Sequence, residues 1–380
     1  MGKGLEKGSP IEPILRLSKD NYDALIDRHG QYVRWMVGER CVCVLETGRP
    51  DPNCAICGGD GWKYGYQYEK TVRNTHATVV GSNILELGTK NILEILEIRN
   101  SYGEKITANG VFGEYVTTET AFDKNGDYYV DYRESLVITE ECQCQVVGEN
   151  ILHVVSENSV YPGGWTKIEP EIVDVIEVVN NANDEVYSVG SFYRQTIEIE
   201  FPQKAPETSD DIRAIVKVAL PQQFLLLNQG KNKVEQQFLD EIGGTAVLSF
   251  PYEYNVSEGD IVMLLVGDAV GKTVITCSGE EMDRLPEWNV VDIIKIEGPD
   301  GTTYREGTDF SLSGYNKVKW IGDIVDIPDE GVHPSVTYRY SPTYRVLQEM
   351  PNIRSAENQQ LPRRVALKLF TMRGAEVEGL

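Results

Sequence analysis

The sequence predicts a mainly β protein, built from several small β-sandwich or β-barrel modules, with one helix and a cysteine-rich loop near its start. Three observations predict it. Alternating apolar and polar runs recur from residue 62 onward, as in Trp62, Tyr64, Tyr66 and Tyr68, or Val336-Thr337-Tyr338-Arg339-Tyr340. Turn signals such as Asn125-Gly126 and Pro328-Asp329-Glu330-Gly331 separate short strands in the rhythm of sandwiches and barrels. A strand-turn-strand unit also reads alike at Leu93–Ile98, Val173–Val178 and Val291–Ile296, each run leading to glycines, which suggests duplication of one module.

At 380 residues the chain exceeds one ordinary hydrophobic core, so several domains are expected. The boundaries read as a helical arm with the cysteine loop over 1–70, β-modules over 71–150, 151–285 and 286–345, and a basic arm over 346–380. Hydrophobic residues make up 41% and charged residues 25%, which is the composition of a folded globular chain. The formal net charge of -23 excludes a general grip on nucleic acid, because phosphate binding needs clustered Lys and Arg. No apolar run reaches bilayer length, and the start Met-Gly-Lys-Gly-Leu-Glu-Lys has no signal-peptide core, so a cytosolic product is expected.

Residues 18–37 open with Ser18 and Asp20, which suit a helix cap, and continue with Tyr22, Leu25 and Ile26 at helical spacing until Gly30 interrupts. A second helix is expected over Lys233–Ile242, stopping at Gly243-Gly244. The tail from Ile353 to Arg373 carries Arg354, Arg363, Arg364, Lys368 and Arg373 against Glu357. Its Val365, Leu367 and Leu369 alternate as a strand does, so it is expected to meet an acidic neighbouring subunit and to add a strand there.

Four of seven cysteines lie within Cys41-Val42-Cys43 and Cys54-Ala55-Ile56-Cys57-Gly58-Gly59. In a reducing compartment such crowding favours a metal over a disulfide framework, and thiolates this close in sequence reach one tetrahedral ion from tight turns. Zinc is the default, held by Cys41, Cys43, Cys54 and Cys57. Four thiolates leave no open position, so the site reads as structural. The one-residue spacing of the first pair leaves an iron–sulfur cluster or a redox-sensitive disulfide open, and His29 and His76 are possible substitute ligands. Cys142 and Cys144 share one face of a strand and, like Cys277, read as core.

Other signals resolve blandly. Val266–Val274 has three residues between Gly267 and Gly271 where a phosphate loop needs four, and reads as a hairpin. Asp123-Lys124-Asn125-Gly126-Asp127 lacks the ligand ladder of a calcium loop and reads as a turn. With four histidines in the chain and no nucleophile elbow, the sequence reads as non-enzymatic. The acidic pairs Glu140-Glu141 and Asp210-Asp211 read as solvated surface.

The stretch Arg34–Gly61, RWMVGERCVCVLETGRPDPNCAICGGDG, resembles a segment of structural proteins of tailed bacteriophages that sit in the neck or head-to-tail connector region. Tyr338, Tyr340, Pro342, Tyr344 and Leu361-Pro362-Arg363-Arg364-Val365 also look like the ending of such virion proteins. The two stretches cover about a quarter of the chain, and 151–285 has no counterpart.

The resemblance implies that Cys41, Cys43, Cys54 and Cys57 are metal ligands and that Arg49-Pro50-Asp51-Pro52 is the rigid turn between the pairs. It also implies a virion protein assembled in the host cytoplasm as a homo-oligomeric ring. Neighbouring neck, portal-side or tail proteins would be its partners, genomic DNA would pass through without specific binding, and no membrane would be involved. An acidic wall would repel that DNA over about 8 Å at physiological salt. A tail or baseplate position, a zinc-ribbon adaptor or regulatory protein, and a β-rich glycan hydrolase are the competing expectations.

Overall fold

Residues 31–37, Gln-Tyr-Val-Arg-Trp-Met-Val, carry aromatic and β-branched side chains that crowd a helix and suit a pleated strand. In the computed structural model the helix accordingly covers Lys19–His29 and gives way at Gly30 to the strand Gln31–Arg40. The interruption expected at Gly30 is the end of the helix, and the rest of the 18–37 segment is strand. A Cβ on Gly30 would stand 2.4 Å from the Ile26 carbonyl oxygen, so glycine is required where the chain turns. The structure describes residues 19–51, 54, 57, 60–148, 150–161, 167–200, 203, 212–227, 239, 243–266, 269–287, 289–313, 316–321, 328–350 and 362–370. Ser18 and most of the helix expected over Lys233–Ile242 lie outside them, although Leu239 is helical and buried.

The strand Gln31–Arg40 belongs to a closed antiparallel barrel. Round the barrel the order is Gln31–Arg40, Gln222–Leu227, Ala246–Phe250, Arg363–Leu369, Thr343–Glu349 and Ile261–Leu264, and the last pairs again with the first. Gln31 opposite Phe224 and Val33 opposite Leu264 close the ring. Trp62–Tyr66 lies beside Gln31–Arg40 as a seventh strand. The interior is aromatic, with Trp35 and Phe250 each against Phe224 at 6.5 and 5.8 Å between ring centroids. Asp260 is fully buried, and its carboxylate accepts from Trp35 Nε1 at 2.8 Å, Gly38 N at 3.0 Å and Ser257 N at 2.9 Å. Burial raises its pKa, and these donors offset part of that rise.

The remaining strands form three copies of one module. The first spans strands from Glu69 to Ser135, the second from Val137 to Ala219, and the third from Ala269 to Tyr340. In each, the run noted as a repeat pairs with the module's last strand across two bulges at equivalent positions. They fall at Ile92/Glu94 and Ile95/Glu97, at Ile172/Asp174 and Val175/Glu177, and at Val290/Asp292 and Ile293/Lys295. The last strand then pairs with the module's first, and a short hairpin strand borders the bulged run. A second set of three strands completes each module, continuous with the main sheet in the first two copies and separate in the third.

Matching registers reveal matching chemistry. The acid at the first bulge meets a base on the last strand in every copy, with Glu94–Arg133 at 2.9 Å, Asp174–Lys217 at 2.9 Å and Asp292–Arg339 at 2.8 Å. Inward from these, Val130 and Tyr132, Ala214 and Val216, and Val336 and Tyr338 are buried in three separate cores. Outward, Leu96, Ile176 and Ile294 occupy one equivalent position and are 46%, 53% and 53% exposed.

The Arg339 guanidinium holds the Asp292 carboxyl below its usual range. Half-exposed pairs of this kind are screened by water and contribute about 0.2–1 kcal/mol. A double-mutant cycle on Asp292→Asn and Arg339→Gln, read from urea midpoints, should find that coupling at pH 7. Because the folded-state pKa is depressed, the contribution should be full above the ordinary carboxylate range and be lost as pH falls through the lowered folded-state value.

The sheets divide the chain at other points than those expected. Val137–Val146 opens the second module, and the strands after residue 222 belong to the barrel or, over 269–340, to the third module. By contacts, one unit holds the barrel and third module (Met1–Gly65, Gln222–Pro251, Val256–Leu380), and the other holds the first two modules (Tyr66–Pro221, Tyr252–Asn255). The basic arm is likewise corrected. Arg363–Leu369 is an internal barrel strand with Val365 and Leu367 fully buried, and Arg363 binds Glu349 of the same chain through two 2.9 Å contacts. Arg354, Glu357 and Arg373 lie outside the described residues.

Candidate metal centre

Cys41 lies at the end of the strand Gln31–Arg40, in extended conformation, and is the N-cap of the short helix Val42–Thr47. Its N–H is held by the Gly61 carbonyl at 2.9 Å, and its own carbonyl accepts from Val44 and Leu45 at 3.0 and 3.2 Å. The spacing Cys-x-Cys therefore places one sulfur at the cap and the next inside the first turn. Gly48, left-handed at φ 74°, ends the helix with its N–H on the Val44 carbonyl at 2.8 Å. Thr47 ties the turn further by donating to the Cys43 and Arg49 carbonyls.

The chain then returns through Arg49-Pro50-Asp51, where the Cys54 N–H donates to the Asp51 carbonyl at 3.0 Å. Gly61 is needed at φ 78°, and a Cβ there would stand 2.9 Å from Pro50 Cγ. Pro52, Gly58 and Gly59, singled out in the sequence, lie outside the described residues.

These supports bring the four sulfurs of Cys41, Cys43, Cys54 and Cys57 within 4.8 Å of one another. Cys41 Sγ is 3.7 Å from Cys54 Sγ, and Cys43 Sγ is 3.7 Å from Cys57 Sγ. A disulfide would need about 2.05 Å. A tetrahedral ion with ligands at about 2.3 Å separates its sulfurs by about 3.8 Å, so the donor set fits a four-thiolate metal site. Cys41 and Cys57 are buried, Cys43 and Cys54 half-buried. Among the described residues these four form the one such cluster of potential ligands.

A backbone hydrogen bond from Asp51 favours the Cys43 thiolate, yet desolvation and the three neighbouring sulfurs push its pKa up to about 12. Four ionised sulfurs so close require a cation, and a bound divalent ion reverses the balance. Neither histidine weighed as a substitute joins the cluster: His29 is exposed at its helix end, and His76 faces Asp127 at 3.3 Å.

Sequence reasoning missed the residues that tie this loop to the barrel. Asp60 accepts from Tyr64 Oη at 2.7 Å and from Arg345, which also reaches Tyr64 Oη at 2.6 Å and lies 4.4 Å over the Phe370 ring. Asp60 and Arg345 are 285 residues apart, and no local pattern signals the pair.

Of the other candidates, the three remaining cysteines and the Asn125-Gly126 turn fall where the bland readings put them. Cys142 and Cys144 lie in the core of the second module and Cys277 in that of the third. Asp123–Asp127 is a turn with Gly126 N on the Asp123 carbonyl at 3.0 Å. The hairpin expected over Val266–Val274 is corrected: Ala269–Val274 is a single strand paired with Ser335–Tyr340, the preceding strand Ile261–Leu264 belongs to the barrel, and Gly267 lies outside the described residues. Glu140 accepts from Ser156 Oγ at 2.7 Å, Glu141 pairs with Arg213, and Asp210 and Asp211 lie outside the described residues. Comparison with known sequences adds no relative: no protein-family model matches the chain, and no curated protein matches it.

Proposed function

We propose that the protein is a non-enzymatic structural component of a tailed-phage virion, assembled as a homo-oligomeric ring at the neck, with zinc holding its four-cysteine loop. The observation that carries the reading is the threefold repetition of one β-module, each copy presenting the same outward aliphatic, Leu96, Ile176 or Ile294, beside a neutralised ion pair. Repeated, self-supporting modules with exposed apolar side chains suit contacts with other subunits.

The thiolate cluster supports the same reading, because four sulfurs saturate a tetrahedral ion and leave no position for substrate. The all-sulfur, tetrahedral donor set suits zinc or an iron–sulfur centre, and zinc is the default ion of such closed structural sites. The net charge of -23 suits a wall past which genomic DNA slides. Subunit contacts do not draw on Arg363, Val365 or Leu367, which the barrel already uses. Partners in this reading are further copies of the chain and the neck, portal-side or tail proteins stacked on the ring.

Mass in solution by light scattering, together with negative-stain images of the purified chain, tests the proposal. Closed rings of one size are expected. A monomer at tens of micromolar would overturn ring formation and favour the zinc-ribbon adaptor, while open stacks would favour a tail or baseplate position.

A further inference from the structure

The four sulfurs divide into two kinds of pair. Cys41 and Cys43 are held by the capped helix Val42–Thr47, and Cys54 and Cys57 come from the returning loop. The 3.7 Å contacts run across, from Cys41 to Cys54 and from Cys43 to Cys57. Each crossing contact joins one buried sulfur, Cys41 or Cys57, to one half-buried sulfur, Cys54 or Cys43. A reachable thiolate beside a sheltered one is the arrangement that turns oxidation into a disulfide before further oxygen can be added.

We propose that the cluster is an exchangeable clamp. Its thiolates hold the metal ion under reducing conditions, and a two-electron oxidant of the peroxide class converts them into Cys41–Cys54 and Cys43–Cys57 disulfides and expels the ion. The inference rests on the metal reading above. The half-buried thiolate of each pair attacks a peroxide oxygen, the O–O bond breaks, hydroxide leaves, and a sulfenic acid forms. The buried partner then attacks that sulfur, the S–O bond breaks and a second hydroxide leaves. Two peroxides thereby take four electrons from four thiolates, yielding two disulfides, four hydroxides and the free ion.

Both states join the same two halves of the loop, so the fold around Gly61 and Asp60 survives the exchange. A particle made in a reducing cell and released into an oxidising medium would keep its loop closed in each.

The test uses the purified full chain. Metal content is measured first, hydrogen peroxide is then added, release is followed with a chromogenic chelator, and non-reduced peptides are mapped by mass. One ion released and four thiols lost per chain are expected, with peptides linked 41 to 54 and 43 to 57, while Cys142, Cys144 and Cys277 stay reduced. In a Cys54→Ser chain the 43–57 link should form alone. A Cys54–Cys57 bond, or sulfinic and sulfonic acids in place of disulfides, would overturn the exchange while leaving the metal reading intact. A chain with no ion before oxidant would overturn both. Ring formation, measured on untreated protein, is decided separately.

Discussion

Replacing Cys57 by serine should strip the chain of its metal and open the loop between residues 41 and 61 to protease, while the three β-modules stay folded. Cys57 is buried at 8% exposure, and its Sγ sits 3.7 Å from Cys43 Sγ inside the cluster. Structural zinc in small modules contributes roughly 10–16 kcal/mol of apparent binding free energy at neutral pH, most of which is lost with a ligand. The loop's helix has no buried apolar anchor, because Val42 and Leu45 point outward at 47% and 72% exposure, and its other ties are the polar ones at Gly61 and Asp60. The modules close their own cores around Leu85 and Val116, Leu152 and Ile197, and Val318 and Trp320, and the four metal-site cysteines belong to none of these clusters. Elemental analysis and limited proteolysis check the result, and an unchanged metal stoichiometry would refute it. Lowering the pH of the unaltered chain should release the ion as the thiolates take up protons.

Gly259→Ala should destabilise the barrel by about 2–5 kcal/mol, from a left-handed backbone that L side chains resist and from overpacking. Gly259 has φ +90°, and a Cβ there would stand 2.1 Å from the Trp62 ring. Trp62 has little room to yield, since the Arg40 guanidinium lies 4.0 Å over its ring. On the facing strand a Cβ on Gly38 would meet the Gly259 carbonyl oxygen at 2.2 Å, so the two glycines mark one close backbone crossing beside Asp260. Thermal or urea unfolding of the variant measures the loss, and a midpoint equal to the parent's would show that the crossing relaxes without cost.

The sequence disclosed what is local. The four cysteines are close in sequence, so their meeting could be read from spacing, and the triple run could be read because each copy keeps its bulged strand. The barrel was hidden for a physical reason. The segments 245–250 and 260–266 read as strands and are strands, but their burial on both faces leaves no alternation to mark a core face, and their partners Arg363–Leu369 and Thr343–Glu349 lie far along the chain. Arg363–Leu369 misled in the opposite way: its alternation and charge suit a free arm, and only the Glu349 partner and the flanking strands reveal it as internal. The Asp60–Arg345 link was unreadable because its members are neighbours only after the barrel closes.

The way the barrel is threaded dictates when each part can fold. Its first strand must await partners near residues 224 and 264, and the strand Arg363–Leu369 is needed before the wall is complete. The first module needs only residues 69–135 and the second only 137–219. Distant pairings bear the larger loop-closure entropy and form late. On a translating ribosome the two early modules therefore finish while Trp35 and Met36 still wait, unburied, for strands not yet made, and in that interval the nascent chain is most open to misassociation.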